Sequence, residues 1–268
     1  MDPRSDGTFR REALLRAGAS ILALLAAVLV ALLIAGRVAQ IDPSHVSPVP
    51  APAGSAPTPT PTPLTDLARP YLGSVVTVEA ELPAEESLGT GWIFDTRGDV
   101  VTNAHVIACH SAIRITDRLN HTHPAVVVQF DATTDIALLR PTSALTGSPI
   151  PIDKAKLAKA PLGVIALASS RATGHADMTA ETLVGLSDDV PLSTPNDECA
   201  SELPPPVYND MLHLQGQSIF EGNSGGPVLD GAGQVVGIMT LASPTAPDAY
   251  AIPISRVLST LTAWARTG

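Results

Sequence analysis

The distribution of apolar and polar positions divides the chain into three parts. Residues 17–36 form one continuous apolar run that contains no charged side chain. Residues 42–64 hold eight prolines among Ala, Ser and Thr, and almost no large apolar side chain. From about Thr65 to Gly268, short apolar or alternating runs recur with turn residues between them. Each part therefore carries a different structural expectation.

The apolar run is long enough to span a bilayer. Twenty helical residues at about 1.5 Å each extend roughly 30 Å, which is the thickness of the hydrocarbon core. Arginine is concentrated on its N-terminal side, at Arg4, Arg10, Arg11 and Arg16, whereas only Arg37 follows closely. By the positive-inside rule, we predict a cytoplasmic tail at 1–16, a transmembrane signal anchor at 17–36, and an extracytoplasmic remainder.

A cleaved signal peptide is the alternative to an anchor. Its apolar region is usually shorter, about 7–15 residues, and ends in a small-x-small site. The run here is longer, and the residues at 37–40 (RVAQ) match such a site poorly. The anchor is therefore the preferred interpretation.

The proline-rich segment at 37–64 is predicted to be a disordered linker. Its composition cannot bury enough apolar surface to offset the entropy of ordering the chain. Frequent proline keeps such a segment extended, at up to about 3.1 Å per residue. The linker would hold the domain at 65–268 away from the membrane.

Two groups of strands are predicted in the domain at 65–268. The first group covers Val75–Ala80, Gly91–Phe94, Val100–Asn103, Ala112–Thr116, Ala125–Phe130 and Ile136–Arg140. The second group, after a stretch poor in strand signals at 141–161, covers Val164–Ala168, Met178–Gly185, Leu212–Leu214, Pro227–Leu229, Val235–Leu241 and Tyr250–Ile252. This spacing indicates an all-β domain, and two groups of six favour two barrels. Apolar residues at helical spacing from Ile254 to Ala265 predict one closing amphipathic helix.

Charge and cysteine content exclude several classes of protein. The 268-residue chain has a formal net charge of −10, so it lacks the excess of Lys and Arg that neutralises nucleic-acid phosphates. Its two cysteines are too few for a disulfide scaffold or a four-thiolate zinc site. We therefore expect no nucleic-acid partner.

Three short strings carry candidate chemistry. Residues 101–106 (VTNAHV) place His105 after a β run, and residues 131–139 (DATTDIALL) place Asp135 before an apolar strand. Residues 221–227 (EGNSGGP) place Ser224 among glycines. A serine hydroxyl needs a base to take its proton, and the base needs a carboxylate that fixes its tautomer. The order His, Asp, Ser at strand ends is therefore more informative than any one string.

The glycines around Ser224 have a separate role. They allow backbone conformations that are closed to other residues. The N–H groups of Gly222 and Ser224 can then converge on one point, as an oxyanion hole requires.

These strings, with GTGWIF at 89–94 and YAIP at 250–253, resemble the chymotrypsin-fold serine proteases, specifically the bacterial HtrA/Deg-like branch. The resemblance covers roughly residues 70–265 in the right order. It implies two six-stranded antiparallel β-barrels with the active site in the cleft between them. It also implies that His105 is the base, Asp135 the orienting acid and Ser224 the nucleophile. Asp131 is the nearby competitor for the acid, and Asp135 is preferred because it directly precedes the Ile-Ala-Leu-Leu strand.

The chain departs from this family pattern at two points. It ends at the closing helix, so we expect no PDZ domain and no gating through one. Asn223 stands where zymogen-type relatives have an aspartate that pairs with a freshly cut N-terminus. Because asparagine cannot form that ion pair, proteolytic activation is not expected.

The family spacing also implies a specificity pocket. Ser218, six residues before Ser224, would lie at its base, with Met239, Thr240 and Leu241 on one wall. Without a carboxylate there, Lys or Arg at the cleavage site would lack a counter-charge. Small or medium apolar residues are therefore expected at the cleavage site.

The two cysteines and the histidines other than His105 suggest limited additional chemistry. Outside the cytoplasm, Cys109 and Cys199 are expected to form a disulfide that closes a loop of about 90 residues; one buried and one free thiol is the alternative. His121 and His123 have the i, i+2 spacing of metal ligands on a strand, but no third ligand lies nearby in the sequence. A solvated loop is the preferred reading, and we expect neither a metal nor a cofactor.

The sequence therefore predicts a membrane-anchored, extracytoplasmic serine endopeptidase, in the periplasm or at the cell surface, that acts on proteins or peptides through an acyl-enzyme. A protease-fold module that holds peptides with weak or latent catalysis is the alternative. The oligomeric state is left open.

Overall fold

A computed structural model describes residues 63–81, 86–154, 160–175, 177–191, 207–216, 219–243 and 247–268. The predicted cytoplasmic tail, the predicted transmembrane helix at 17–36 and all of the predicted linker except Pro63 and Leu64 lie outside these ranges. Among the helices within them, none has both the length and the apolar character needed to cross a membrane.

The first barrel is a closed ring of six antiparallel strands. Its strands are β1 (Val75–Glu81), β2 (Glu86–Ile93), β3 (Val100–Thr102), β4 (Ala112–Thr116), β5 (Thr122–Asp131) and β6 (Ile136–Pro141). Around the ring they follow the order β1-β2-β3-β6-β5-β4, and β4 pairs with β1 to close it.

The second barrel repeats this arrangement in the C-terminal half. Its strands are β7 (Leu162–Leu167), β8 (Met178–Ser187), β11 (Met211–Gly216), β12 (Pro227–Leu229), β13 (Val235–Ala242) and β14 (Asp248–Pro253). They follow the order β11-β14-β13-β12-β7-β8, and β8 pairs with β11. A two-stranded ribbon of β9 (Val190–Pro191) and β10 (Val207–Tyr208) is separate from both rings.

Short helices occupy the connections. They are α1 (Leu64–Ala68), a 3₁₀ helix (Arg69–Ser74), α2 (Ala104–Ile107) and α3 (Ser170–Thr173), and the chain closes with α4 (Ile254–Thr267). Helix α1 begins one residue before the predicted domain boundary.

The predicted fold class, all-β with two six-stranded barrels and a closing helix, is confirmed. The largest boundary error is in β2, which begins at Glu86 rather than at Gly91. The first half of β2 is polar and contains glycine, but β2 pairs with β1 all the way from Glu86 to Trp92. Backbone hydrogen bonding to β1 therefore extends the strand beyond its apolar part. The ribbon of β9 and β10 was not predicted, because each strand has only two residues.

Strands in both barrels are buried on two faces. In β6, Ala137 and Leu139 belong to the interior cluster of the first barrel, whereas Ile136 and Leu138 belong to a central cluster. In β7, Ile165 joins the same central cluster. Successive side chains of a strand point to opposite faces. One face of each of these strands therefore packs in a barrel interior, and the other packs in the central cluster between the barrels.

Helix α4 seals the central cluster. Ile254, Val257, Leu261 and Ala265 recur on one face of the helix and are buried in that cluster. The predicted helical spacing is therefore confirmed. The apolar surface shared by both barrels and α4 makes the described domain one packed unit, which fixes the parts of the site that come from different barrels.

Candidate active site

His105 and Asp135 are held together by two hydrogen bonds. The ring Nδ1 of His105 lies 2.8 Å from Asp135 Oδ2, and the backbone N–H of His105 donates to Oδ1 at 2.9 Å. His105 is the second residue of α2, which begins where β3 ends, and Asp135 lies in the turn before β6. Asp135 is fully buried, whereas the imidazole is 23% exposed. One edge of the ring is therefore open to solvent while the other is fixed by the carboxylate.

The backbone of Asp135 is in the left-handed region, with φ of +53°. Residues with a side chain rarely adopt this conformation, although aspartate tolerates it better than most. The carbonyl of Asp135 accepts a hydrogen bond from Asn103 Nδ2 at 2.8 Å, which holds this backbone in place. Asn103, the residue just before α2, therefore holds the backbone of Asp135, and the carboxylate of Asp135 in turn binds His105 of α2.

Asp131, the other candidate for the orienting acid, forms hydrogen bonds within its own turn instead. Its Oδ1 accepts the backbone N–H of Thr133 at 2.8 Å, and its Oδ2 accepts the Thr134 hydroxyl at 2.9 Å. A side chain that binds the backbone two residues on is typical of an Asx turn. The structure thus brings Asp135, and not Asp131, to His105.

Tyr208 is a third partner of the buried carboxylate that sequence reasoning missed. Its hydroxyl donates to Asp135 Oδ2 at 2.8 Å, which is the same oxygen that binds His105 Nδ1. Burial, together with the neighbouring carboxylate, raises the pKa of Tyr208, so it remains a neutral donor. A tyrosine on a two-residue strand in a polar, proline-rich region gives no sequence signal. Only the rule that a buried tyrosine hydroxyl needs a partner points to it.

Ser224 lies in a tight turn of the second barrel, between β11 and β12. Gly222 and Gly225 flank it with φ of +87° and +88°. A Cβ on Gly222 would meet the carbonyl of Ala172, and one on Gly225 would meet the carbonyl of Thr90 and the hydroxyl of Thr102. Glycine is therefore required at both positions by conformation and by space.

The Ser224 hydroxyl donates to the carbonyl of Thr240 at 3.2 Å. Asn103, which holds the Asp135 carbonyl, also donates to Thr240 Oγ1 at 3.2 Å. Thr240 is thus the shared neighbour of the serine turn and of the pair His105 and Asp135. Within the ranges described above, Ser224 and His105 form no hydrogen bond with each other.

The N–H groups of Gly222 and Ser224 are available as donors, since neither is bonded to another described residue. The neighbouring N–H groups are engaged: Asn223 donates to the carbonyl of Phe220 at 3.2 Å, and Gly225 donates to that of Met239 at 2.8 Å. The Asn223 side chain accepts the Phe220 N–H at 3.1 Å and is buried. Among the described residues, the two N–H groups that we expect to form an oxyanion hole therefore have no acceptor.

The pKa of His105 is raised above its ordinary value of 6.5. Burial alone would lower it, but the charge of Asp135 and the hydrogen bond to it favour the protonated ring more strongly. The pair therefore stabilises an imidazolium, which is the form that a base takes after it accepts a proton.

The predicted specificity pocket is described only in part. Ser218 lies outside the described residues. Met239 is buried in the interior cluster of the second barrel, and Thr240 is also buried. Leu241 is partly buried and packs against the central cluster. The assignment of these residues to a pocket wall stays a prediction.

Cys199 also lies outside the described residues, so its pairing with Cys109 stays a prediction; Cys109 itself is not a free thiol. The rings of His121 and His123 face the buried carboxylate of Asp117 at 3.5 and 3.7 Å. Over the part of the chain that the structure describes, no group of three His, Cys, Asp or Glu side chains is arranged to hold a metal ion.

The chain is similar to one protein family and to several known proteins. Residues 89–238 match the family described as trypsin-like peptidase domain. The chloroplastic Protease Do-like 1 of Arabidopsis thaliana is 31% identical over 183 residues, which are 66% of this chain and 39% of that protein. The putative serine protease HhoA of Synechocystis is 32% identical over 172 residues, which are 63% of this chain and 40% of that protein. The chain thus spans about two fifths of the length of these curated relatives.

Solved structures resemble the whole described domain. The active form of the Rv3671c protease from M. tuberculosis has a TM-score of 0.62 and 25% identity, and the match covers 80% of this chain and 93% of that one. The serine endoprotease of Yersinia pestis has a TM-score of 0.60 and 25% identity, with 78% of this chain and 69% of that one covered.

Proposed function

The chain belongs to the trypsin-like peptidase family, with serine proteases of the HtrA and Do type among its relatives, and we propose that it is itself a serine endopeptidase. The resemblance inferred from its motifs is thereby confirmed at the level of the family. The observation that carries the proposed activity is the double hydrogen bond that fixes His105 on the buried carboxylate of Asp135.

In the proposed mechanism, His105 takes the proton of the Ser224 hydroxyl through its Nε2 as the oxygen attacks the scissile carbonyl. Asp135 holds Nδ1–H, so the opposite nitrogen is the one free to accept that proton. The N–H groups of Gly222 and Ser224 donate to the oxyanion of the tetrahedral intermediate. His105 then protonates the leaving amine, and a water molecule hydrolyses the acyl-enzyme by the same steps.

Catalysis in this scheme requires the Ser224 hydroxyl to leave the carbonyl of Thr240 and turn toward His105. A single hydrogen bond of this kind contributes only about 0.5–1.5 kcal/mol net, so a bound substrate can offset its loss. Apo sites often have long or misaligned catalytic hydrogen bonds that tighten in the complex.

The same hydrogen bond supports the alternative function, a peptide-binding module with latent catalysis. A fluorophosphonate probe separates the two, since it reacts only with an activated serine. We expect the wild-type domain to be labelled and the Ser224→Ala variant not to be. If the wild type stays unlabelled across the pH range, the latent module is the correct function.

Activity is expected to fall as the pH drops through the pKa of His105, because only the neutral ring can act as base. Since Asp135 raises this pKa, the fall begins above pH 6.5, and each further unit costs about tenfold in kcat/KM. The measurement is kcat/KM for a peptide ester against pH. A profile that stays flat down to pH 4 would remove His105 from the base role.

The preferred substrate is proposed to have a small or medium apolar residue at the cleavage site. The basis is the residue predicted at the pocket base, Ser218, which offers no charge to Lys or Arg. A peptide ester with Ala or Val at that position should have a higher kcat/KM than the matched Arg ester. The opposite ranking would refute the pocket assignment.

The peptidase is further proposed to act outside the cytoplasm, on proteins or peptides, while held by the helix at 17–36 and the proline-rich linker. Probe labelling of membrane and soluble fractions tests this placement. The labelled full-length protein should remain with the membrane after alkaline extraction, whereas a chain that lacks residues 1–37 should be soluble. If the protein expressed from the full-length sequence is recovered in the soluble fraction, at a size that lacks the apolar run, the cleaved signal peptide is supported instead.

A further inference from the structure

We propose that Thr90 is a positioning residue that holds the serine turn of the second barrel, residues 222–225, so that the N–H groups of Gly222 and Ser224 face the oxyanion. This inference rests on the proposed peptidase function. Thr90 lies in β2 of the first barrel and is completely buried. Its hydroxyl donates to the carbonyl of Gly222 at 2.6 Å, across the boundary between the barrels.

Thr90 holds the turn at two points. Its backbone N–H donates to the carbonyl of Ser224 at 2.9 Å, in addition to the bond from its hydroxyl to Gly222. Its own carbonyl accepts the hydroxyl of Thr102 at 2.8 Å, which ties Thr90 to β3. The carbonyls of Gly222 and Ser224 are thus both hydrogen-bonded to Thr90, a single residue of the opposite barrel.

The direction of the hydroxyl proton is fixed by a second contact. The backbone N–H of Ser169, just before α3, donates to Thr90 Oγ1 at 3.0 Å. Because the oxygen accepts that N–H, its single proton is directed to Gly222. Helix α3 also lies behind Gly222, where a Cβ would meet the carbonyl of Ala172.

These bonds determine where the N–H groups of the turn point, because the C=O and N–H of one peptide unit face opposite ways. In the peptide unit after Gly222, the carbonyl is bonded to Thr90 and the N–H to the carbonyl of Phe220. In the unit after Ser224, the carbonyl is again bonded to Thr90 and the N–H to the carbonyl of Met239. The unit between them has its Asn223 carbonyl bonded to the N–H of Gly226 at 2.9 Å. The Ser224 N–H is therefore fixed, and the bond from Thr90 to Gly222 limits how the Gly222 N–H can turn.

The sequence around Thr90 allows this close approach. A Cβ on Gly89 would lie about 2.6 Å from a methyl of Val106, and one on Gly91 would lie 2.6 Å from a methyl of Val100. Glycines on both sides of Thr90 therefore let β2 sit tightly against α2 and β3. The string at 89–91 (GTG) thus has a use beyond strand pairing: it brings a hydroxyl to the serine turn.

The test compares Thr90→Val and Thr90→Ser with the wild-type domain. Valine has the shape of threonine without the hydroxyl, and serine keeps the hydroxyl without the methyl. We expect Thr90→Val to lower kcat for a peptide ester by 10- to 100-fold with KM changed less than threefold. Affinity for a peptide boronic acid, which forms a tetrahedral adduct, should fall in parallel with kcat. Thr90→Ser should retain kcat within about threefold.

Thr116→Val is the matched control. Thr116 is also a buried threonine of the first barrel, and its hydroxyl binds Glu79 and Thr122, neither of which is hydrogen-bonded to the serine turn. We expect this variant to lower the melting temperature without lowering kcat. An unchanged kcat in Thr90→Val, or an equal loss in Thr116→Val, would overturn the proposal.

A readout that needs no activity separates this inference from the proposed function. In hydrogen–deuterium exchange, residues 220–226 should exchange faster in Thr90→Val than in Thr116→Val. Equal exchange would overturn the role of Thr90 even in an active enzyme. An unlabelled and inactive wild type would instead overturn the peptidase function.

Discussion

Replacing Ser224 with alanine is expected to lower kcat by about 10⁶-fold with little change in KM, because the variant lacks the oxygen that forms the acyl-enzyme. The backbone N–H groups of Gly222 and Ser224 remain in the variant. A residual rate of about 10³–10⁴ over the uncatalysed reaction is therefore expected from oxyanion stabilisation and substrate binding. Steady-state kinetics on a peptide ester, with an active-site titration of the wild type, measures the loss.

Ser259→Ala is the control for this variant, since Ser259 is exposed on α4 and far along the chain from the serine turn. Its kcat should equal that of the wild type. Ser224→Ala should also melt within a few degrees of the wild type, because only one long hydrogen bond, to Thr240, is removed. A Ser224→Ala variant that retains more than about 1% of the activity would exclude Ser224 as the nucleophile.

Replacing Asp135 with asparagine is expected to lower kcat by about 10⁴-fold at neutral pH. The structure indicates how the amide would sit. Oδ1 accepts the backbone N–H of His105, which can only donate, so the amide oxygen must keep that position. The amide NH₂ then replaces Oδ2, where it donates to His105 Nδ1. The proton of the ring is thereby moved to Nε2, the nitrogen that should accept the proton of Ser224.

Tyr208 does not prevent this rearrangement, because its hydroxyl can rotate and accept a hydrogen bond from the amide. The measurement is the pH profile of kcat/KM. The step assigned to His105 should move below its wild-type position, since the charge that raises the pKa is gone.

Asp131→Asn is the matched control, as it changes the other carboxylate of the same turn. The substitution weakens the hydrogen bonds that Thr133 and Thr134 donate to this side chain. The side chain of residue 131 does not contact His105. We expect less than a tenfold change in kcat. If Asp131→Asn were as damaging as Asp135→Asn, the loss would report a distorted turn rather than a missing charge.

The architecture was readable from the sequence because its strands follow a simple physical pattern. Strands buried on two faces, such as β6 and β7, appear as continuous apolar runs between turn residues. The run of α4 appears at helical spacing for the same reason, since one face packs on the central cluster. Boundaries were less accurate where backbone pairing, rather than burial, extends a strand, as at the start of β2.

Candidate site residues could be predicted only where a motif surrounds them. The glycines near Ser224 and the strand after Asp135 are local signals, and the structure brings His105 to the predicted acid. Tyr208 has no local signal, because its partner lies 73 residues away in the sequence. The role of Thr90 depends likewise on a contact 132 residues away, with Gly222. Such contacts depend on how the two barrels pack together, and no short segment of the sequence shows that packing.

The division of the site between the barrels imposes an order on its assembly during synthesis. The first barrel, which ends at Pro141, is synthesised before the ribosome reaches Ser224. At that stage the chain carries the proposed base, His105, and its carboxylate, Asp135, but not the proposed nucleophile. The central cluster also needs α4, which follows the second barrel in the chain and packs against the cluster. A nascent chain at that stage lacks Ser224, so the order of the elements keeps the proposed activity from arising before the second barrel is made.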